Sequence, residues 1–201
     1  HGNEFLSKKE SKINRVSKTL QKTSLVVANS DFTSKLIQNL NIPKINIQYI
    51  YPGALDLRET VPLEFCIRDG GPVIITLARI EKRKGHAHVI ESIKKLVTRF
   101  PNINYIIAGE GQEKKTLQKL VLKHKLNSNV NFIGNINDGQ KRFLFEKADL
   151  MVMPTLDESH KNSIEGFGIT YIEAAFFAIP SIASNIGGTS EAVLNDSTGL
   201  I

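Results

Sequence analysis

The sequence contains a single cysteine, Cys66, and no tryptophan. With one thiol, no disulfide can form within the chain and no cluster of thiolates can hold a metal ion. No apolar run approaches the roughly 18 residues that a membrane-spanning helix requires, and the start of the chain carries no signal-peptide pattern. These absences disfavour a disulfide-stapled secreted domain and a membrane-spanning protein, and they fit a reducing cytoplasm.

Acidic residues are fewer than basic ones. The sequence has 26 Lys and Arg and 20 Asp and Glu, which gives a net charge of +6. The excess is concentrated in residues 1–22, which carry six basic and two acidic side chains. Such a segment can contact an anionic membrane surface, or it forms the solvated face of a helix. Aromatic residues do not alternate with the basic ones, and we therefore expect no nucleic-acid partner.

Short apolar runs alternate with amphipathic stretches along the chain. Seven runs rich in Val and Ile predict buried strands, at residues 24–28, 45–50, 73–78, 104–108, 130–133, 150–153 and 181–183. Between them, apolar residues recur at spacings of three and four, as in Ala87, Ile90 and Ile93, which is typical of helices. The alternation predicts an α/β fold, with a parallel sheet covered by helices.

The alternation fails between Pro52 and Pro72, where proline and glycine are frequent. We therefore divide the chain into residues 1–56, a linker at 57–71, and residues 72–201. The first part is too short to form an independent core. The last part has the size of an ordinary domain, and it stops inside what looks like a new strand, so we expect both parts to be incomplete.

Two cations follow the strand at 73–78. Arg79 and Lys84 are spaced so that both can converge on a diphosphate, Arg79 as a fork and Lys84 as a point charge. The alternative is a basic turn in solvent, and we expect Lys82 and Arg83 to be solvated in either case.

Glycine turns follow three further strands, at the edge where open α/β sheets bind ligands. Gly109 comes after the strand at 104–108, Gly134-Asn135-Ile136 after the strand at 130–133, and Gly187-Gly188 after the strand at 181–183. Glycine lets a ligand or another backbone approach closely. Each turn on its own is equally compatible with a plain connection between a strand and a helix.

Two carboxylates, Glu165 and Glu173, frame the start of a predicted helix. The amides of Phe167, Gly168, Ile169 and Thr170 at that helix start can bind an anion without a side-chain charge. Glu173 can then accept hydrogen bonds from ribose hydroxyls, and Glu165 from a sugar hydroxyl. The alternative is a capped amphipathic helix with two surface acids.

The chain contains the ordered series Arg79-x4-Lys84-Gly85, Gly109-Glu110-Gly111, Phe132-x-Gly134, Pro154, Glu165-x7-Glu173, Pro180, Gly187-Gly188 and Glu191. This series resembles glycosyltransferase family 4. The resemblance covers residues 72–201 and implies the C-terminal, Rossmann-like, donor-binding half of a GT-B fold. It implies a retaining enzyme that transfers a sugar from a UDP- or GDP-linked donor to a glycan or lipid-linked acceptor. Such enzymes usually need no metal or other cofactor, the nucleotide sugar being a substrate. One departure is Ala178, where the family often has glycine.

The resemblance also implies roles for individual residues. Arg79 and Lys84 would neutralise the diphosphate, Glu165 would contact the donor sugar, and Glu173 would bind the ribose. The donor-binding set would further contain Gly109, Gly134, Asn135, Ile136, Phe167, Gly168, Ile169, Thr170, Gly187 and Gly188. Residues 1–56 resemble the end of the acceptor-side domain, and His1 resembles the family's acceptor-side histidine near the donor sugar.

Two other functions stay open from the sequence. One is a nucleotide-sugar-binding module without transfer activity, since most of an acceptor domain is absent. The other is a sugar-nucleotide epimerase with the GT-B fold. For the transferase we expect a cytoplasmic location, with the basic first segment peripheral at the inner face of the membrane.

Overall fold

The computed structural model describes residues 3–7 and 9–201, within which all strand pairings are parallel. Strands β1 (Val26–Ala28) and β2 (Ile47–Tyr49) form a two-stranded sheet. A second sheet contains the six strands β3 (Val73–Leu77), β4 (Asn104–Ala108), β5 (Val130–Gly134), β6 (Leu150–Val152), β7 (Ser181–Ile182) and β8 (Gly199–Leu200). His1, for which the family resemblance implies a position near the donor sugar, lies outside the described residues.

The larger sheet reverses its strand order between β3 and β6. Its spatial order is β5-β4-β3-β6-β7-β8, so the chain runs outward from β3 in one direction and outward from β6 in the other. In open α/β sheets, ligands bind outside the carboxyl ends of the strands at such a reversal. The loops that follow Leu77 and Val152 are therefore the ones that the topology brings to a binding crevice.

Helices cover both faces of the larger sheet. Successive residues of a strand point to opposite faces, so each apolar strand has side chains to bury on both. Ile74, Tyr105 and Ile107 belong to an apolar cluster with α3 (His86–Leu96) and α4 (Lys114–Lys123). Val73 and Ile75 belong to one with α5 (Asp138–Lys147) and α6 (Ile169–Phe176). The helices are α1 (Glu10–Leu20), α2 (Asp31–Gln38), α3 (His86–Leu96), α4 (Lys114–Lys123), α5 (Asp138–Lys147), α6 (Ile169–Phe176) and α7 (Thr189–Ala192), with 3₁₀ turns at Asn3–Phe5, Lys82–Lys84 and Ser159–Lys161. The predicted Rossmann-like α/β architecture is confirmed.

All seven predicted strands are present, some of them one or two residues shorter at an end, and β8 is the strand predicted at the end of the chain. Ala178, the departure from the family pattern, has a φ of +55°. This left-handed conformation is one that glycine adopts without strain, which explains the preference for glycine there.

The segment between the two sheets contains no helix or strand from residue 50 to residue 72, as far as the described chain shows. It is nevertheless packed, since Leu57 is fully buried in the apolar cluster of β3 and α6. The division into domains at residues 56 and 72 stays a prediction.

Candidate functional site

Two adjoining cavities lie at the carboxyl ends of the strands. The first, of 480 Å³, opens between the loop after β3 and the segment Ile164–Thr170, with Asn3 and Asn29 on its other side. The second, of 330 Å³, is lined by residues that follow β4 and β5. Leu77, Ala78, Arg79 and Thr170 line both, so one elongated ligand can extend from the first cavity into the second.

A larger groove of 560 Å³ lies between α3 and α4, lined by aliphatic parts of residues such as Leu117 and Leu120. It contains neither Lys84 nor Glu165 nor a glycine turn after β4 or β5. Arg79 and Lys84, which the sequence predicts to converge on a diphosphate, line the smaller cavities instead.

The first cavity contains a buried cluster of opposite charges. Nη1 of Arg83 lies 2.7 Å from Oε2 of Glu165, and Nζ of Lys84 donates to the same oxygen. The side chains of Arg83, Lys84 and Glu165 are 5%, 11% and 13% exposed. Arg83 also lies 3.5 Å from Glu81 through Nη2, so the cluster continues toward the surface.

The pKa values of the cluster follow from burial and charge. Burial alone would raise the pKa of Glu165, but the Lys84 ammonium and the Arg83 guanidinium outweigh it, and the net shift is downward. Burial lowers the pKa of Lys84 below its usual 10.5, against the opposite pull of Glu165. Glu165 is therefore held as a carboxylate at neutral pH, at the wall of the cavity.

The expectation that Arg83 is solvated is wrong, whereas Lys82 is exposed. The 3₁₀ turn Lys82–Lys84 directs Arg83 inward, and Gly85 follows it with a φ of +73°. A Cβ atom at Gly85 would lie 2.1 Å from the carbonyl oxygen of Pro154. Only glycine allows this approach, which packs the turn against the end of β6.

Arg79 has a different environment from Arg83. Its side chain is 71% exposed, and its Nη1 lies 2.7 Å from Oε1 of Glu81. Because Arg79 lines both cavities, it lies where a ligand would pass from one to the other. Its role with the diphosphate stays a prediction.

Helix α6 directs its amino-terminal end toward the first cavity. The amides of Phe167, Gly168, Ile169 and Thr170 donate no hydrogen bond to another backbone group of the described chain. Gly168 has a φ of +100°, and a Cβ atom there would lie 2.6 Å from the ring of Tyr171. These amides and the helix dipole are placed where they could bind an anion, which stays a prediction.

The second cavity is formed by the glycine turns that follow β4 and β5. Gly109 donates its amide to the carbonyl oxygen of Gly134 at 2.7 Å, and a Cβ atom at Gly109 would lie 2.1 Å from the carbonyl oxygen of Ala78. Asn135 and Ile136 line the cavity, whereas Gly134 does not line it and contacts it through its hydrogen bond with Gly109.

Glu173 is buried next to the second cavity rather than exposed on a helix surface. One of its carboxylate oxygens binds the ammonium of Lys141, which lines the cavity, and its Oε2 has no hydrogen-bond partner in the described structure. Lys141 was missed by sequence reasoning, since it lies 32 residues before Glu173 on a different helix. An unpartnered buried oxygen can accept a hydrogen bond from a ligand hydroxyl.

Gly187 and Gly188 contact the backbone of the first cavity rather than its interior. A Cβ atom at Gly187 would lie 2.1 Å from the carbonyl oxygen of Glu165, and one at Gly188 2.2 Å from that of Gly166. Neither glycine lines the two cavities. The structure thus brings Arg79, Lys84, Glu165 and the start of α6 together around the two cavities. Glu173 is buried beside them, and Gly187 and Gly188 lie outside this group.

The described residues contain neither a metal-ligand cluster nor a membrane-spanning helix. No group of three or more His, Cys, Asp or Glu side chains is arranged to hold a metal ion within residues 3–7 and 9–201. No helix in this part of the chain has both the length and the apolar character to cross a membrane.

The family model described as "Glycosyl transferases group 1" matches residues 59–201, and the chain belongs to this family. A glycogen synthase of Mycobacterium tuberculosis is 33% identical over 133 residues, which cover 66% of this chain and 30% of that protein. A GDP-mannose-dependent alpha-(1-6)-phosphatidylinositol monomannoside mannosyltransferase of the same species is 27% identical over 186 residues, 89% of this chain and 48% of that protein.

Among solved structures, the Anabaena protein Alr3699/HepE in complex with UDP and glucose has a TM-score of 0.79 and 21% identity. The alignment covers 100% of this chain and 56% of that one. This likeness establishes the fold. The chain spans half or less of the curated relatives it matches, so the activity and substrates of the whole protein are matters of proposal.

Proposed function

We propose that the protein transfers a sugar from a nucleotide diphosphate donor to a glycan or lipid-linked acceptor, with retention of anomeric configuration. The observation that carries the proposal is the Arg83–Lys84–Glu165 cluster, at the wall of a cavity that also receives the free amides of α6. Cations, amides and one ionised acid in a buried site suit a phosphorylated sugar better than an uncharged ligand.

In this proposal the diphosphate occupies the first cavity. Its negative charge is met by Lys84, by the amides at the start of α6, and by Arg79 once that side chain turns from Glu81. Stabilising the departing diphosphate lowers the barrier to breaking the glycosidic bond, because negative charge accumulates there in the transition state. Glu165, held ionised by its two cations, lies on the wall of the same cavity and would accept hydrogen bonds from the donor sugar.

The nucleoside extends into the second cavity. The backbone at Asn135 and Ile136 would meet the base, and the free oxygen of Glu173 would accept a hydrogen bond from a ribose hydroxyl. UDP and GDP are both candidates, since the Anabaena neighbour is solved with UDP and the mannosyltransferase is named for GDP-mannose. No metal or other cofactor is part of the proposal, because Lys84 and the α6 amides supply the positive charge.

The acceptor side of the proposal includes an anionic membrane surface. Arg15, Lys18 and Lys22 are exposed and line one face of α1 and the turn after it. A lipid-linked acceptor would bring this face near anionic headgroups, whose attraction falls as salt screens it. Salt-insensitive or absent binding to anionic vesicles would remove this part of the proposal and leave the transfer reaction unaffected.

The test is an assay of the full chain with UDP- and GDP-linked hexoses and a panel of glycan and lipid acceptors. Released nucleotide and the anomeric configuration of the product are read together. Transfer with retention supports the proposal, and an inverted product contradicts the retaining mechanism. Nucleotide-sugar binding without transfer favours the binding module, and an epimerised donor without acceptor favours the epimerase.

A further inference from the structure

The carboxylate of Glu191 on α7 caps the amino-terminal end of α2, which begins 160 residues earlier in the sequence. Oε2 of Glu191 accepts a hydrogen bond from the amide of Asp31 at 2.7 Å, and its Oε1 accepts one from the amide of Phe32 at 2.9 Å. Oγ of Ser30 accepts from the amide of Thr33 at 3.0 Å. Side chains thus partner the first three amides of α2, and its positive end faces an anion.

The opposite side of α7 lies against the loop that carries Glu165. The amide of Gly188 donates to the carbonyl oxygen of Glu165 at 3.0 Å. A Cβ atom at Gly188 would lie 2.2 Å from the carbonyl oxygen of Gly166 and 3.2 Å from Cβ of Ser30. Ser30 and this loop thus both lie close to Gly188, and in a closely packed region a displacement of α2 would be transmitted to the backbone of Glu165.

The first cavity has walls from both parts of the chain. Asn3 and Asn29 line it together with residues 164–170. Oδ1 of Asn3 accepts from the amide of Ile164 at 2.8 Å, and the ring of Tyr51 stacks on Phe167 with centroids 5.2 Å apart. The spacing between the N-terminal residues and the Glu165 loop therefore sets the width of the cavity.

We propose that Glu191 is a positioning residue, which latches α2 to α7 and so holds Glu165 at the separation from the opposite wall that sugar transfer requires. The inference rests on the proposed function. Glu191 does not line the cavity. Its loss therefore affects the geometry of the transfer step and leaves the affinity for the nucleotide diphosphate unchanged.

Two variants break the latch from opposite sides. Glu191→Gln removes the charge and turns an amide donor toward the helix amides. Asp31→Pro removes the amide that donates to Oε2, at the first position of α2, where proline is well tolerated. Ser30 before it has an extended backbone, with φ −164° and ψ 159°, which proline also accepts. Asp31→Ala is the matched control, because it removes the same side chain and keeps the amide.

We expect kcat for transfer to fall on the order of tenfold to a hundredfold in Glu191→Gln and Asp31→Pro. Their UDP or GDP affinity should stay within about twofold of wild type, Asp31→Ala should behave as wild type, and the double variant should be no worse than the worse single one. Wild-type kcat in either latch variant, or an equal fall in Asp31→Ala, overturns the inference.

Hydrogen exchange separates this inference from the proposed function. If the wild type binds no nucleotide diphosphate, the proposed function fails. The contact between Glu191 and α2 is then tested by the hydrogen-exchange rates of the Asp31 and Phe32 amides. Faster exchange of these two amides in Glu191→Gln supports the latch, and unchanged exchange overturns it.

Discussion

Nη1 of Arg83 and Nζ of Lys84 converge on one oxygen, Oε2 of Glu165. With Arg79 and Glu81, which pair at the mouth of the same cavity, the group holds three cations and two carboxylates. The group therefore carries one net positive charge, with Arg83, Lys84 and Glu165 buried and Arg79 exposed at its edge. An entering anion offsets this excess, which is the physical basis of the proposed diphosphate site.

Arg83→Met leaves the Glu165 carboxylate with one cation in place of two. In the wild type the pKa of Glu165 is below its usual 4.5, so the unfolded chain binds more protons and stability falls as the pH drops below about 4.5. The variant should lose about 3 kcal/mol of unfolding free energy at neutral pH and show a weaker fall in acid. Urea denaturation across this pH range measures both.

Arg99→Met is the control for that experiment, because Arg99 is exposed and stacks on its neighbour Phe100. It should change the unfolding free energy by less than about 0.5 kcal/mol. An Arg83→Met protein as stable as Arg99→Met would contradict the account of the cluster.

His86 predicts a second pH dependence. It is 2% exposed, between the hydroxyl of Tyr105 and the carbonyl oxygen of Arg79, and burial lowers its pKa to about 4. Between about pH 6.5 and 4 the unfolded chain binds a proton that the folded chain does not. Stability should therefore fall by about 3 kcal/mol as the pH drops through this window.

His86→Gln should abolish that fall, and the exposed His160→Gln should retain it. The measurement is the denaturation midpoint from neutral pH down to about pH 4.5, above the range where Glu165 contributes. A wild-type slope in His86→Gln would show that another group titrates there.

Glu173→Gln tests the ribose contact. We expect UDP or GDP affinity to fall on the order of tenfold, since a hydrogen bond to a charged acceptor is replaced by one to a neutral amide. Affinity for inorganic pyrophosphate should stay unchanged, because pyrophosphate has no ribose. Equal losses for both ligands would assign Glu173 to the structure of the site through Lys141, and Glu146→Gln, an exposed pair with Arg142, serves as the control.

Gly187→Ala should destabilise the protein by about 2 kcal/mol. Its φ is +66°, and the added Cβ would lie 2.1 Å from the carbonyl oxygen of Glu165. Gly53→Ala is matched to it, because no atom of the described residues lies within 4 Å of the added Cβ. Thermal unfolding measures the melting temperature of each variant. Equal decreases in the two variants would refute the packing role of Gly187.

The sheet could be predicted from the sequence because its signal is local. The run Val73–Leu77 is apolar at most positions and buried at all five, as a strand covered on both faces requires. The glycine turns after β4 and the start of α6 were recognisable for the same reason, since each needs a backbone conformation that favours glycine.

The pairing of charges could not be predicted in the same way. Arg79 and Arg83 are alike in sequence, yet the 3₁₀ turn at Lys82–Lys84 buries one and leaves the other exposed. The contact of Lys141 with Glu173 joins α5 to α6, and no spacing rule connects residues on two helices that follow different strands. Such contacts depend on the tertiary fold, which periodicity does not encode.

The most direct test of the central claim is calorimetric titration of the wild type, Lys84→Met and Lys82→Met with UDP and with GDP. The account predicts that the wild type binds at least one of them, that Lys84→Met binds it more weakly by on the order of tenfold to a hundredfold, and that the exposed Lys82→Met matches the wild type. No binding of either nucleotide by the folded wild type, or equal affinities in all three proteins, would contradict it.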